Sequence, residues 1–328
     1  MSRSVLTEEG LAALVYWINE REAIRLRKEV LEDSAEMRFR HTRAHALAWD
    51  SGMGWSLDHL THDPILHQFR FTCVRRQDDR VTRWIVKNIL EPYVDHPFLL
   101  MMACWARTIN WPDTLRELML AGAWPDKSTW SAGYATEVLN ARQDRGNKIY
   151  TGVYMIRSES DRRQPWFSWR KNRYISEIVL GKIWERRQDW LRFNEPGAAT
   201  QQQVWEYLLQ FTGWGPFMAG QAVADLAYTP MLSRATDMNR WTPLGPGSRR
   251  GLNRLYGRPL DGALSQEQGL GEMLEIREML QVSGTLAPWV AVPDLQSTQS
   301  CLCEADKFLR VKNGEGRPRS MYVPGRGS

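Results

Sequence analysis

Fifteen residues, Arg70-Phe-Thr-Cys-Val-Arg-Arg-Gln-Asp-Asp-Arg-Val-Thr-Arg-Trp84, carry five arginines and two adjacent aspartates. Guanidinium forks grip phosphate oxygens two at a time, and a neighbouring carboxylate holds the fork in place. The spacing predicts a helix from about Phe71 to Leu90, with Val74, Val81, Ile85 and Ile89 as its apolar stripe. On such a helix Arg75, Asp79 and Arg83 share a face at i, i+4 and i+8, and Arg76 and Arg80 lie beside them. That face can hold phosphate. The same pattern also suits a solvated helix laced with ion pairs.

A second constellation begins at Phe211-Thr-Gly-Trp-Gly-Pro-Phe217. Gly213 and Gly215 predict a tight turn, because glycine reaches the needed backbone angles cheaply and lets another backbone approach. Pro216 suits a first helical position. Met218, Ala219, Ala222, Val223 and Leu226 then form an apolar helix face. Amides at such a helix start can receive a phosphate. Asp237 follows some twenty residues later in Thr236-Asp-Met-Asn-Arg-Trp241, before a helix expected around Arg249–Leu255. It is a candidate catalytic carboxylate and, equally, a natural cap for that helix. Two further groups are Lys148, Tyr150 and Tyr154 in the Gly146–Tyr154 stretch, and Glu304, Lys307 and Arg310 along one face of a C-terminal helix.

The elements that must position these residues read as helical almost throughout. Helices are expected at Glu8–Leu31, Pro97–Arg107, from Pro112 to Gly122, at Asp126–Arg142, Arg173–Phe193 and Thr200–Phe211, and from a capping box at Ser265 and Gln268 to Gln281. Asn147–Ile156 has the one strand-like composition. Residues 50 to 68, 158 to 170 and the tail from Lys312 to Ser328 read as loop, the last as extended. No internal repeat is visible.

Length and composition bound the rest. At 328 residues, 43% hydrophobic and 25% charged, the chain suits one large or two ordinary globular domains. It has no apolar run long enough to span a bilayer, so no membrane partner is expected, and its N-terminus lacks a signal-peptide core. A net charge of +5 is compatible with a polyanionic partner. Cys73, Cys104, Cys301 and Cys303 are too sparse for a disulfide scaffold and suit a reducing cytosol. His59, His62 and His67 with Asp63 match no standard metal spacing, so no metal site is expected. Sixteen tryptophans exceed what a core of this size requires, and some can stack on unpaired bases.

The glycine turn with Asp237 resembles the helix-hairpin-helix of the DNA glycosylase superfamily. That resemblance implies a mostly α, glycosylase-like helical fold with family-specific insertions. It forms either one unit over 1–328 or two lobes, 1–195 with 259–328 and 196–258. It also implies that Gly213, Trp214, Gly215, Phe217 and Arg240 contact DNA. Phe217 stands where bifunctional glycosylases carry a Schiff-base lysine, so lyase chemistry is not expected. Some glycosylases bind an iron–sulfur cluster on four C-terminal cysteines; only two lie there, and no cluster is expected.

Over nearly its whole length the chain is similar to the phage thymine-hypermodification proteins of the alpha-glutamyl/putrescinyl-thymine pyrophosphorylase clade. These amino acid:DNA transferases are related to the helical domain of hydroxymethyluracil DNA kinases. The similarity rests on Glu20-Arg-Glu22 with Lys28, Asp63-Pro-Ile-Leu66, the Arg70–Arg80 run, Gly146–Tyr154, the hairpin with Asp237, and Cys303-Glu-x-x-Lys307. No G-x-x-x-x-G-K-[ST] occurs, which separates the chain from the kinases' phosphate-binding loop.

The resemblance implies an enzyme acting on double-stranded DNA whose 5-hydroxymethyluracil is already pyrophosphorylated. An amino acid or polyamine displaces the pyrophosphate, in the cytoplasm of an infected bacterium. Arg75, Arg76, Arg80, Arg83, Lys148, Tyr154, Lys307 and Arg310 would gather the pyrophosphate or the nucleophile. Asp237, with Asp78 and Asp79 behind it, would serve as base. The residues fix no cofactor, and Mg²⁺ accompanying pyrophosphate is compatible with this reading. A DNA glycosylase acting on a modified base, or a DNA-binding protein without chemistry, are the alternatives. The residues do not select the amine or an oligomeric state.

Overall fold

The computed structural model describes residues 5–32, 55–152, 156, 161–318 and 321. Among them there is no strand, only the isolated bridges Ser56 to His59 and Phe69 to Met321. The mostly helical class therefore holds. The chain divides into two compact units, 1–80 with 244–328, and 81–243. The expected lobe boundaries near 195 and 258 do not coincide with this division.

The first unit is built from the helices Glu8–Glu32, Pro64–Gln68, Pro246–Leu255, Gln266–Val282 and Leu295–Lys312. Leu14, Trp17 and Ile18 of the N-terminal helix pack with Phe69, Phe71, Leu252, Ile276 and Phe308 in one apolar cluster. Gly251 lets two helices meet backbone to backbone, since a Cβ there would fall on Leu302 O. Three short polar side chains begin helices: Asp63 accepts from the Ile65 and Leu66 amides, Ser265 from Gln268, and Asp294 from Ser297.

The arginine-rich stretch departs from the expected helix. Arg75 and Asp79 have extended backbone, a 3-10 turn occupies Arg76–Asp78, and the helix starts only at Arg80. It runs Arg80–Ile85 and continues as a π-turn over Val86–Leu90. The i, i+4, i+8 face of Arg75, Asp79 and Arg83 therefore does not form. Tertiary hydrogen bonds explain the difference. Arg21 donates to the carbonyls of Thr72 at 3.0 Å and Phe71 at 3.4 Å. Glu304 accepts from the Thr72 amide at 3.0 Å, Ser297 accepts from the Arg76 amide at 3.2 Å, and the Cys301 thiol donates to Val74 O. These partners satisfy backbone groups that a helix would otherwise pair internally.

The second unit is organised around Leu99–Ile109, a helix buried at every residue. Asn110 ends it in the left-handed conformation, φ 46°. Its one charge, Arg107, is 1% exposed and bonds both carboxylate oxygens of Asp225, which is 0% exposed. Arg107 also donates to Asn110 Oδ1 at 2.9 Å and Thr82 Oγ1 at 2.8 Å. Pro112 opens the next helix, Pro112–Leu120, and Gly122 follows it at φ 69°.

Other expectations for this unit shift. The helix expected from Asp126 begins at Ala132, capped by Ser131. Arg173–Phe193 is not one helix: Lys171–Arg173 passes into a π-turn over Tyr174–Leu180, then Gly181–Glu185, Arg187–Trp190 and a 3-10 turn at Leu191–Asn194. Residues 147–152 form no strand; Val153, Tyr154 and Met155 lie outside the described residues, as do 157–160 and most of the C-terminal tail.

Removing one partner of the Arg107–Asp225 pair strands a buried charge, a loss of about 3–5 kcal/mol. Asp225→Ala is expected to lower unfolding free energy by that amount, read from urea titration. A change under about 1 kcal/mol would show that the pair is dispensable.

Candidate functional site

Sequence-expected residues gather in two places, one per unit. In the first unit a cluster of charges lies where the N-terminal helix, the extended stretch and the C-terminal helix Leu295–Lys312 meet. Glu22, 3% exposed, accepts two bonds from Arg25, at 2.6 and 3.0 Å. Arg25 also pairs with Glu29 at 2.7 Å and lies 3.7 Å from Asp78. Asp78 accepts from Arg75 at 2.8 Å. On the C-terminal helix Lys307 pairs with Glu304 at 2.6 Å, with its ammonium 4.4 Å from the centre of the Phe71 ring.

Burial works against the Arg25 charge. The bonds Arg25 donates to Glu22, with the charges of Glu22, Asp78 and Glu29, outweigh it and hold the guanidinium above its usual range. The cluster is thus a set of fixed cations with their own orienting carboxylates. Arg75, 28% exposed, stands near the Ser297 end of the C-terminal helix, and Lys307, 22% exposed, lies ten positions further along that helix. A cation held in this way can meet a phosphate oxygen without reorganising.

Several expected members sit differently. Arg76 is half-buried, while Arg80 and Arg83 are exposed on the helix after the turn. Asp79 is half-buried and, like Asp78, lies near enough to Cys73 to raise its thiol. Arg310 lies half-buried one turn beyond Lys307. Arg21 and Glu22 of the N-terminal helix entered only through the Glu20-Arg-Glu22 resemblance, and Arg25 was missed; the i, i+3 and i, i+4 spacing of Glu22, Arg25 and Glu29 was the signal that could have found it. The thiols take no part. Burial pushes Cys303 up to about 12 and raises Cys73, Cys104 and Cys301, so none supplies a thiolate near neutrality.

In the second unit the helices Gln201–Leu209 and Pro216–Leu226 flank the glycine turn. Gly213 has φ +85°, and a Cβ there would sit 2.7 Å from Val179 Cγ2. Gly215 faces open space and precedes Pro216 at the helix start. Phe217 is 46% exposed and Arg240 is exposed. Trp214 corrects an expectation: it is 3% exposed, and its indole N–H donates to Val179 O at 2.9 Å. It anchors the turn to the protein, so it is not a surface for DNA.

Lys148 lies in this unit, its ammonium 3.9 Å from the centre of the Trp111 ring. Lys148 and Lys307 therefore belong to different units. Tyr154 falls outside the described residues. His59 and His62 bond each other at 3.2 Å beside Trp55. Among the described residues no group of three or more His, Cys, Asp or Glu is arranged to hold a metal.

Asp237 is a cap, but not of the helix after it. Its Oδ1 accepts from the Gln201 amide at 2.9 Å and its Oδ2 from the Gln202 amide at 3.0 Å. The carboxylate thus sits on the positive end of the helix leading into the glycine turn. Gln201 and Phe211 are ten positions apart, so the carboxylate sits at the end of that helix away from the turn. Asp237→Ala is expected to cost about 1 kcal/mol, within the 0.5–2 kcal/mol range of lost caps, and Asp237→Asn less, because one acceptor survives. Thermal melts of both variants check this; melts equal to wild type would contradict the capping role.

The helical profile described as "5-hmdU DNA kinase, helical domain" matches residues 52–317. A 5-hmdU DNA kinase of Bacillus phage SP10 is 22% identical over 209 residues, covering 60% of this chain and 32% of the phage protein. The chain spans about a third of the length of that curated relative. No solved structure matches. With four-fifths of its residues inside that profile, the chain belongs to the family of the 5-hmdU DNA kinase helical domain.

Proposed function

We propose that the chain is a DNA-hypermodification transferase. An amine, of an amino acid or a polyamine, displaces pyrophosphate from 5-(pyrophosphoryloxymethyl)uracil in DNA. The observation that carries this reading is the cluster of the first unit, in which Arg25, Arg75 and Lys307 are each held by a carboxylate. Family membership supports a substrate bearing 5-hydroxymethyluracil chemistry.

In the proposed reaction the amine nitrogen forms a bond to the C5 methylene. The carbon–oxygen bond to pyrophosphate breaks, and its electron pair leaves on the pyrophosphate oxygen. Arg75 and Lys307 stabilise that growing charge, and Mg²⁺ is compatible with the same step. The ammonium proton passes to a carboxylate of the Asp78–Asp79 pair. The Gly213–Phe217 turn, with Arg240, grips the DNA backbone without reading sequence. Asp237 keeps a positioning part through the helix it caps. With both oxygens already bonded to amides, it gives the glycosylase alternative little support as the attacking or stabilising carboxylate.

Arg75→Ala tests the reading. Arg75 is partly exposed and Asp78 keeps Arg25 nearby, so the fold is expected to survive. Pyrophosphate release from pyrophosphorylated DNA in the presence of amine should fall by about a hundredfold, the scale of losing one preorganised charge-stabilising donor. DNA affinity should change little. Release at the wild-type rate would return the cluster to a purely structural role.

A further inference from the structure

Two imidazoles of the first unit meet where the proposed chemistry has no use for them. His59 Nε2 and His62 Nδ1 are 3.2 Å apart, and both side chains are exposed. A shared proton accounts for that distance. So does one metal ion, since two nitrogens about 2.0–2.1 Å from an ion stand roughly 2.9–3.4 Å apart, from octahedral to tetrahedral angles. The ring centres discriminate further. A straight hydrogen bond would set them about 5.5 Å apart, and two imidazoles on one ion about 5 Å. They are 5.0 Å apart, with the rings inclined at 62°. The ring axes are thus bent, as a chelate requires. A third ring, His67, is centred 5.7 Å from His59, so a further nitrogen ligand is within reach.

The backbone that carries the pair is fastened to the N-terminal helix. Ser56 and His59 exchange two backbone hydrogen bonds, at 2.9 and 3.2 Å, which close the turn bearing His59. Arg27 donates to Leu60 O at 2.8 Å and lies 4.0 Å over the Trp55 ring. That buried indole packs against His62 at 4.8 Å and His59 at 6.0 Å. Thr61, 2% exposed, donates to Glu20 at 2.7 Å and accepts from the Asp63 amide at 3.1 Å. Little ordering is left for an ion to impose. The Arg27 charge is met by Glu20 at 2.8 Å and does not oppose a cation nearby.

The donor set says which ion fits. Asp63 is already committed: one carboxylate oxygen accepts from the Ile65 and Leu66 amides, and the other from the Tyr16 hydroxyl at 2.9 Å. The ligands are therefore nitrogens, which suit zinc, nickel and copper, whereas magnesium calls for oxygens. We propose that His59 Nε2 and His62 Nδ1 chelate one divalent transition-metal ion, with water completing its shell. The ion ties the 56–59 turn to the residues that lead into the Pro64–Gln68 helix. This rests on neither the transfer chemistry nor DNA binding.

The test is calorimetric titration of the full chain with Zn²⁺ and, separately, Mg²⁺, alongside thermal melts in each ion. Wild type is expected to take up Zn²⁺ and to melt higher in its presence, because an ion bound only by the folded state stabilises it. Mg²⁺ should do neither. His59→Ala and His62→Ala should each weaken Zn²⁺ binding by roughly tenfold or more, at least the cost of disturbing a ligand's outer-shell partner. Both side chains are exposed, so the metal-free melts should stay close to wild type. His62→Gln keeps a hydrogen-bond partner for His59 without an imidazole nitrogen, and should lose Zn²⁺ as His62→Ala does. Equal Zn²⁺ affinity in wild type and His62→Ala would place the ion elsewhere and overturn the site. No Zn²⁺ uptake by wild type, or Mg²⁺ uptake of equal strength at the pair, would overturn it too, leaving two histidines that share a proton.

Discussion

The backbone of residues 71–76 needs partners, and the way it finds them determines the candidate site. Arg21 is only 6% exposed, yet its guanidinium is spent on the carbonyls of Phe71 and Thr72. Hydrogen bonds from a charged group contribute about 1.5–3 kcal/mol each, more than the preference of a few arginines and aspartates for helix. Glu304 and Ser297 complete the pairing from the C-terminal helix. The stretch is therefore drawn out between two helices. That places Arg75 and Asp78 beside Glu22 and Arg25, with Lys307 over Phe71. A helix over the same residues would have dispersed the charges along one solvated face.

The same constraint governs the second unit. A guanidinium inside an otherwise apolar helix is tolerable only when each of its donors is met, and Asp225, Asn110 and Thr82 meet them. Asn110 does so while ending the helix in the left-handed region, so the helix stop and the charge pairing depend on one residue. Around this centre the glycine turn is fastened by Trp214 to a π-turn, and the preceding helix is fastened at its start by Asp237. These bonds tie down the turn and the start of the helix before it, which suits the backbone-gripping part proposed for the turn, since an element already held in place has less to order on binding.

Local signals in the sequence carried much of this. Pro112, Gly122, Ser265 and the Gly213–Pro216 turn mark helix limits because their effects on backbone angles and caps are local. The N-terminal helix Glu8–Glu32 was legible from its length without a breaker. What stayed hidden was tertiary. Nothing adjacent to Phe71 shows that Arg21, fifty residues earlier, takes its carbonyl. Trp214 reads as a DNA-facing aromatic because a tryptophan between glycines has no periodicity to declare a core side. Asp237 reads as a cap for the helix downstream, whereas its partners are Gln201 and Gln202, upstream in sequence. The π-turn at Tyr174–Leu180 inserts a residue into a pattern that looks continuously helical.

The central claim is that the fixed cations of the first unit receive a departing pyrophosphate while an amine takes its place on the base. Nucleoside mass analysis of DNA after incubation tests this most directly. Plain, hydroxymethylated and pyrophosphorylated duplexes are each treated with the protein and a mixture of amino acids and polyamines. The account predicts a new nucleoside with the mass of an amine-substituted thymine, formed from the pyrophosphorylated duplex alone. An abasic site in any of the three, or no change in the pyrophosphorylated duplex, would contradict it.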